Sequence, residues 1–199
     1  MKILNFKILT FLLGFVCLTN ANKEKELTGS LFKNYNTKIR PVNNFSTPVV
    51  MKIGLNVESL EYFNQVSETV DFNIWITMMW KDEYLTWNKS NYNINYLNVN
   101  TNKIWLPDLE LYNAAKLPNV YTIKDQATVY SDGTVIYKRP ALSSFLCPLK
   151  LEKFPYDTQT CSMEFGSWKL NSHFLDVIPF SDGDDYKGIT INPDFSHNE

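Results

Sequence analysis

The stretch Cys147-Pro-Leu-Lys-Leu-Glu-Lys-Phe-Pro-Tyr-Asp-Thr-Gln-Thr-Cys161 sets two cysteines on either side of thirteen residues. In a secreted chain a pair at this spacing implies a closed disulfide loop. By chain entropy such a loop stabilises a fold by about 3 kcal/mol. The interior is more specific than the spacing. Phe154-Pro155-Tyr156-Asp157 places an aromatic, a rigid proline, a second aromatic and a carboxylate at the tip. A proline flanked by aromatics suits a cis bond or a tight turn.

The secreted context is read from the amino terminus. Lys2 and Lys7 give a basic start, residues 8–18 form a short apolar run, and Thr19-Asn20-Ala21 offers small residues for cleavage. This pattern predicts a signal peptide over residues 1–21 and one domain over residues 22–199. The competing readings are an uncleaved anchor or a buried apolar helix. The polar Asn22-Lys23-Glu24-Lys25 that follows at once argues against both, and the run is short for a membrane span. Cleavage would remove Cys17 and leave Cys147 and Cys161 as a pair, which suits an oxidising compartment. The sequons Asn44-Phe45-Ser46 and Asn88-Lys89-Ser90 fit glycosylation there.

At 199 residues, 44% hydrophobic and 20% charged, the chain can bury a core, which excludes a disordered class. Aromatics reach 15%, a surplus that serves cores and interfaces. A net charge of −2 gives no reason to expect a nucleic-acid partner.

Residues 24–35 predict a short amphipathic helix with Leu27, Leu31 and Phe32 as its stripe, weakened by Gly29. Beyond Arg40-Pro41-Val42 the period becomes two. Met51, Ile53, Leu55 and Val57 mark one strand; Phe72, Ile74, Ile76, Met78 and Trp80 mark the core face of a second. Asp132-Gly133 reads as a two-residue turn in a hairpin over residues 129–137. Further strands are expected near residues 103–106, 121–128 and 162–168. Short strands at regular spacing after one helix predict an all-β sandwich. On the second strand Asn73, Trp75, Thr77 and Met79 face away from the core. A Trp and a Met on that face mark an interface or ligand wall, or else a second sheet covers them. The acidic Asp182-Gly183-Asp184-Asp185 reads as a solvated loop; a cation site is the alternative, and the spacing is not that of an EF-hand loop.

Several motifs together resemble the Cys-loop receptors, the pentameric ligand-gated ion channels. The loop Cys147–Cys161 with its Phe-Pro-Tyr-Asp core is similar to that family's signature loop. Trp75-Ile-Thr-Met-Met-Trp80-Lys-Asp82-Glu-Tyr-Leu85-Thr-Trp87 resembles its Trp-x4-Trp-x-Asp-x2-Leu-x-Trp segment. Trp105-Leu106-Pro107-Asp108, Leu111-Tyr112-Asn113-Ala114-Ala115 and Gly166-Ser167-Trp168 resemble nicotinic acetylcholine receptor motifs. The resemblance implies an immunoglobulin-like β-sandwich with a short N-terminal α-helix, the extracellular ligand-binding domain of a nicotinic-like subunit. It also implies acetylcholine or a related amine as ligand, bound between subunits of a homo- or hetero-pentamer.

By the same resemblance Tyr112 and Trp168 belong to the principal side of the pocket. Trp75, Thr128, Ile136 and Lys138 belong to the complementary side. Phe154, Pro155, Tyr156 and Asp157 would couple the pocket to a pore. Aromatic faces bind a quaternary ammonium through their quadrupoles, roughly 0.5–2 kcal/mol each. Lys138 and Lys169 are departures, since they bring positive charge toward a cation's site.

No cofactor, metal site or enzymatic activity is expected. The mature chain holds only His173 and His197, no free Cys and no glycine-rich phosphate loop. The family pattern continues past Glu199 into a capping loop and four membrane helices, so the domain is expected to be incomplete at its C-terminal end. Contact with a membrane is expected only through such a domain. Localisation follows as the secretory pathway and then the extracellular space or the outer face of the plasma membrane. The alternative is a soluble secreted acetylcholine-binding-protein-like chain, or a truncated subunit that modulates assembly.

Overall fold

The computed structural model describes residues 23–116 and 126–191. The leader expected over residues 1–21, and residues 121–125 of one expected strand, lie outside them.

Helix α1 spans residues 23–32 and buries Leu27, with Leu31 and Phe32 packed beside it. It ends three residues short of the sequence expectation. Tyr35 instead reaches back into the fold, where its hydroxyl finds a buried carboxylate.

The chain then forms β1 (Val49–Asn64), β2 (Thr69–Lys81), α2 (Lys89–Tyr92), β3 (Tyr96–Asn100) and β4 (Leu109–Leu111). These are followed by β5 (Gln126–Tyr130), β6 (Thr134–Leu146), β7 (Phe165–Ser167), β8 (Leu175–Pro179) and β9 (Ile189–Ile191). The main sheet has the order β3-β5-β6-β2-β1-β8, with β9 also on β1. Its neighbours pair antiparallel except β8 and β9, which run parallel to β1. A second, two-stranded sheet pairs β4 with β7. The result is the expected all-β sandwich with one N-terminal helix.

The period-two reading of β2 is correct. Ile74, Ile76, Met78 and Trp80 are buried, and half-buried Phe72 stacks on Phe145 with ring centroids 6.0 Å apart. The small sheet covers this face, since Leu109 joins the same core as Ile74 and Ile76. Asn73, Trp75, Thr77 and Met79 alternate outward; Trp75 is 42% exposed and the other three are partly buried.

Three local expectations are corrected. The hairpin loop has three residues, Ser131-Asp132-Gly133, because Gly133 sits at φ 86° after a turn closed by Gly133 N–H to the Tyr130 carbonyl at 2.8 Å. Residues 103–106 are not a strand. Thr101–Lys103 form a 3-10 turn, Asn100 Oδ1 caps it by accepting from Asn102 N–H, and Ile104 and Trp105 are buried directly after it. The strand over residues 162–168 is limited to three residues.

The Cys147–Cys161 disulfide is formed, with Cα atoms 5.0 Å apart, and Cys147 is buried. The Phe154–Pro155 peptide is cis. Among the described residues no helix is long and apolar enough to cross a membrane.

Candidate ligand-binding surfaces

The short β4–β7 pairing builds the first surface. Leu109 pairs with Ser167 and Leu111 with Phe165, so Tyr112 leaves one strand as Trp168 leaves the other. Tyr112 N–H donates to the Glu164 carbonyl at 2.8 Å, and its hydroxyl donates to the Ser167 carbonyl at 2.6 Å. The ring lies on Gly166, where a Cβ would stand 2.8 Å from ring carbon and hydroxyl oxygen. Only glycine leaves that space. Tyr112 and Trp168 meet edge to face, centroids 5.9 Å apart, and both are exposed: 50% and 79%.

Asp108 fixes the turn behind Trp168. Its two carboxylate oxygens accept from Ser167 Oγ at 2.7 Å and from Lys169 N–H at 2.8 Å. Ser167 Oγ in turn accepts from Leu170 N–H. The sequence motif contained Asp108 without revealing this role, because its partners lie about sixty residues ahead. Lys169 lines a separate cavity with Arg40, Leu106 and Asp108, beside the aromatic pair.

The second surface is the outward face of the main sheet. Register sets Thr77 opposite Lys138, Trp75 opposite Pro140, and Thr128 opposite Ile136. Trp75, Thr77 and Lys138 line an open groove of about 430 Å³, with Glu58, Asp185 and Tyr186 also on its walls. Thr128, Ile136 and Lys138 line an adjoining cavity of about 210 Å³. Thr128 Oγ1 donates to Asn98 Oδ1 at 2.9 Å. Lys138 is exposed, and its Nζ lies 4.4 Å from the centre of the Tyr186 ring.

Tyr186 was not found from sequence. It follows the acidic run 182–185, which reads as solvated, and carries no periodic signal. The loop is in fact pinned: Lys52 Nζ pairs with Asp184 Oδ1 at 2.5 Å, and Ser181 donates to the other carboxylate oxygen.

The two surfaces do not meet in one chain. The small sheet that carries Tyr112 and Trp168 packs on the core face of β2, against Ile76, whereas Trp75 and Thr77 point from the opposite face.

The loop 148–160 is largely exposed, with Phe154 and Tyr156 at its outer end. Gln159 holds its base by accepting from Lys150 N–H at 2.9 Å and donating to the Lys150 carbonyl and to Asp157. The loop is joined to the β1–β2 turn through Glu68, whose carbonyl accepts from Cys147 N–H and whose carboxylate accepts from Leu149 N–H. At the sequons, Asn44 and Asn88 are exposed, and each side-chain oxygen accepts a backbone N–H, from Ser46 and Ser90.

Residues 24–198 match the family model described as the neurotransmitter-gated ion-channel ligand binding domain. The chain is 34% identical to the neuronal acetylcholine receptor subunit alpha-3 of Carassius auratus over 178 residues, covering 89% of this chain and 35% of the relative. It is 31% identical to the acetylcholine receptor subunit alpha-type unc-38 of Caenorhabditis elegans, over 93% of this chain and 38% of the relative. It is 35% identical to the acetylcholine receptor subunit alpha-like 2 of Drosophila melanogaster, over 89% and 31%. The chain thus spans about a third of the length of these relatives.

Proposed function

The chain belongs to the family of neurotransmitter-gated ion-channel ligand-binding domains, on its nicotinic acetylcholine receptor-like side, and from that premise we propose that it binds acetylcholine or a related cationic amine between neighbouring subunits. One observation carries this reading. Each chain presents an exposed aromatic pair and an aromatic-walled groove on opposite faces of its main sheet. A closed aromatic box therefore requires the Tyr112–Trp168 surface of one copy against the Trp75 surface of the next.

The chemistry suits the ligand. A quaternary ammonium has no hydrogen-bond donor to satisfy, and its diffuse charge is attracted to ring faces. The Tyr112 hydroxyl is already committed to the Ser167 carbonyl, so the ring is offered as a fixed edge-to-face partner of Trp168. Thr128, Ile136 and Lys138 would contribute the variable part of the complementary wall. Such subunits would assemble as a homo- or hetero-pentamer at the extracellular face, after export directed by residues 1–21, with Asn44 and Asn88 as glycan acceptors.

In the complete receptor, Phe154, Pro155, Tyr156 and Asp157 would couple the pocket to the pore. The exposed aromatic tip, on a loop tied to the β1–β2 turn through Glu68, supports that role.

Two variants test the reading. Trp168→Ala and Trp75→Ala are each expected to abolish acetylcholine binding. Co-assembly of the two variant chains is expected to restore part of it, because an intact aromatic pair then faces an intact groove. Unchanged affinity in Trp168→Ala would sink the aromatic box, and no restoration on mixing would sink the intersubunit site.

A further inference from the structure

We propose that Tyr186 is a cation-binding face of the groove and that Lys138 occupies it as a tethered cation, which makes this residue pair a determinant of ligand selectivity. The inference rests on the intersubunit reading above and adds a residue and a competition to it.

Three observations support it. The Lys138 ammonium stands 4.4 Å from the Tyr186 ring centre, well inside the distance at which a cation is attracted to an aromatic face. Asp185 and Glu58 line the same groove, yet among the described residues Lys138 forms no ion pair. Among the described residues, the ammonium rests on the ring and not on a carboxylate. Finally, Lys138 and Tyr186 both line the groove that contains Trp75 and the adjoining cavity that contains Thr128 and Ile136, so the pair divides the two.

Tyr186 is held in place. Its ring meets buried Phe180 at 5.5 Å. Phe180 N–H donates to the Ile53 carbonyl, and Leu55 N–H donates to the Gly188 carbonyl, so the segment is stitched to β1 at both ends. It crosses at Gly54, where a Cβ would stand 2.6 Å from the Lys187 carbonyl and 2.8 Å from the Phe180 ring. Lys52 and Asp184 add an ion pair.

A free cation approaching this wall must displace the lysine from Tyr186 and also tolerate its charge. Removing the ammonium uncovers the ring and removes the competitor. A cation–π contact of ordinary strength corresponds to a roughly 2- to 30-fold change in affinity.

The test is equilibrium binding of acetylcholine to the assembled full chain. Lys138→Met keeps an unbranched side chain one atom shorter, without the charge, and is expected to tighten binding by roughly 2- to 30-fold. Adding Tyr186→Leu is expected to reduce that gain, leaving only the part that comes from removing the charge. Lys187→Met removes a second groove-lining charge that, among the described residues, lies on no ring, and its effect is expected to be smaller. No gain in Lys138→Met, an equal gain with Tyr186→Leu present, or an equal gain from Lys187→Met would each overturn the proposal.

Without ligand, the Lys138 ε-methylene protons are expected to show an upfield ring-current shift in NMR that Tyr186→Leu removes. An unshifted resonance in the wild type would also overturn it. If Trp168→Ala and Trp75→Ala abolish binding while Lys138→Met changes nothing, this inference fails and the intersubunit site stands. If those Trp variants bind normally, it is the intersubunit reading that fails.

Discussion

The Tyr35 hydroxyl donates a 2.5 Å hydrogen bond to the Asp82 carboxylate and ties the N-terminal segment to the turn that ends β2. The same hydroxyl accepts from Trp105 N–H at 3.0 Å. Asp82 is fully buried and also accepts from Tyr84 N–H and Leu85 N–H. Three separate stretches of chain therefore converge on one buried phenol–carboxylate pair. Tyr35→Phe removes the shared hydroxyl and leaves a buried acceptor and a backbone donor short of partners. The expected cost is about 2 kcal/mol, read as a lower urea midpoint with an unchanged slope.

Burial pushes the Asp82 carboxyl above its ordinary value of 3.8, and the hydrogen bonds from Tyr35, Tyr84 and Leu85 offset this only in part. A carboxyl raised on folding keeps its proton where the unfolded chain has already released it. Its contribution to stability is fully present below 3.8 and is lost as pH rises through the raised folded value. Asp82→Asn removes the titration. The stability difference between wild type and variant is therefore expected to shift against the wild type as pH rises through that window. A difference independent of pH in urea unfolding at several pH values would refute this.

Two glycines are expected to respond in opposite directions. Gly133 has φ 86°, and an added Cβ would stand 2.3 Å from the Asp82 carbonyl oxygen. Gly133→Ala is expected to cost about 2 kcal/mol or more. Gly29 lies in helix α1 with nothing within 4 Å of a built Cβ. Gly29→Ala is expected to gain about 0.5–1 kcal/mol. Thermal melting of the two variants checks the signs.

Gly166→Ala would drive a methyl group into the Tyr112 ring, at 2.8 Å from its hydroxyl oxygen. The ring must move, which breaks its bond to the Ser167 carbonyl and its edge contact with Trp168. Acetylcholine affinity is expected to fall by roughly tenfold, one aromatic contact's worth, with the fold retained by far-UV circular dichroism. Wild-type affinity in this variant would mean that the pair's geometry does not matter to binding.

Much of the fold was legible because it is written in local periodicity. The row from Ile74 to Trp80 alternates strictly, and a strand of that pattern has only one face to bury. Leu27, Leu31 and Phe32 likewise declared a helix face. The hairpin was found at the right place with one residue too few, since Asp-Gly signals a positive φ but not the length of the loop around it. Residues 103–106 misled because buried apolar residues after a 3-10 turn look the same in sequence as a short strand.

Sequence by itself determined the cysteine pair and its Phe-Pro-Tyr-Asp tip and, through motifs that resemble the family's, singled out Tyr112, Trp168 and Trp75 as candidates. Motifs are local, so they name residues without saying which of them meet. Tertiary structure decided how they are grouped. Strand pairing over long separations sets Tyr112 beside Trp168, and the two-sidedness of a sheet puts Trp75 on the opposite face. The contact between Lys138 and Tyr186 depends on a parallel return of the chain to β1 and on Gly54 making room for it, neither of which has a periodic signature.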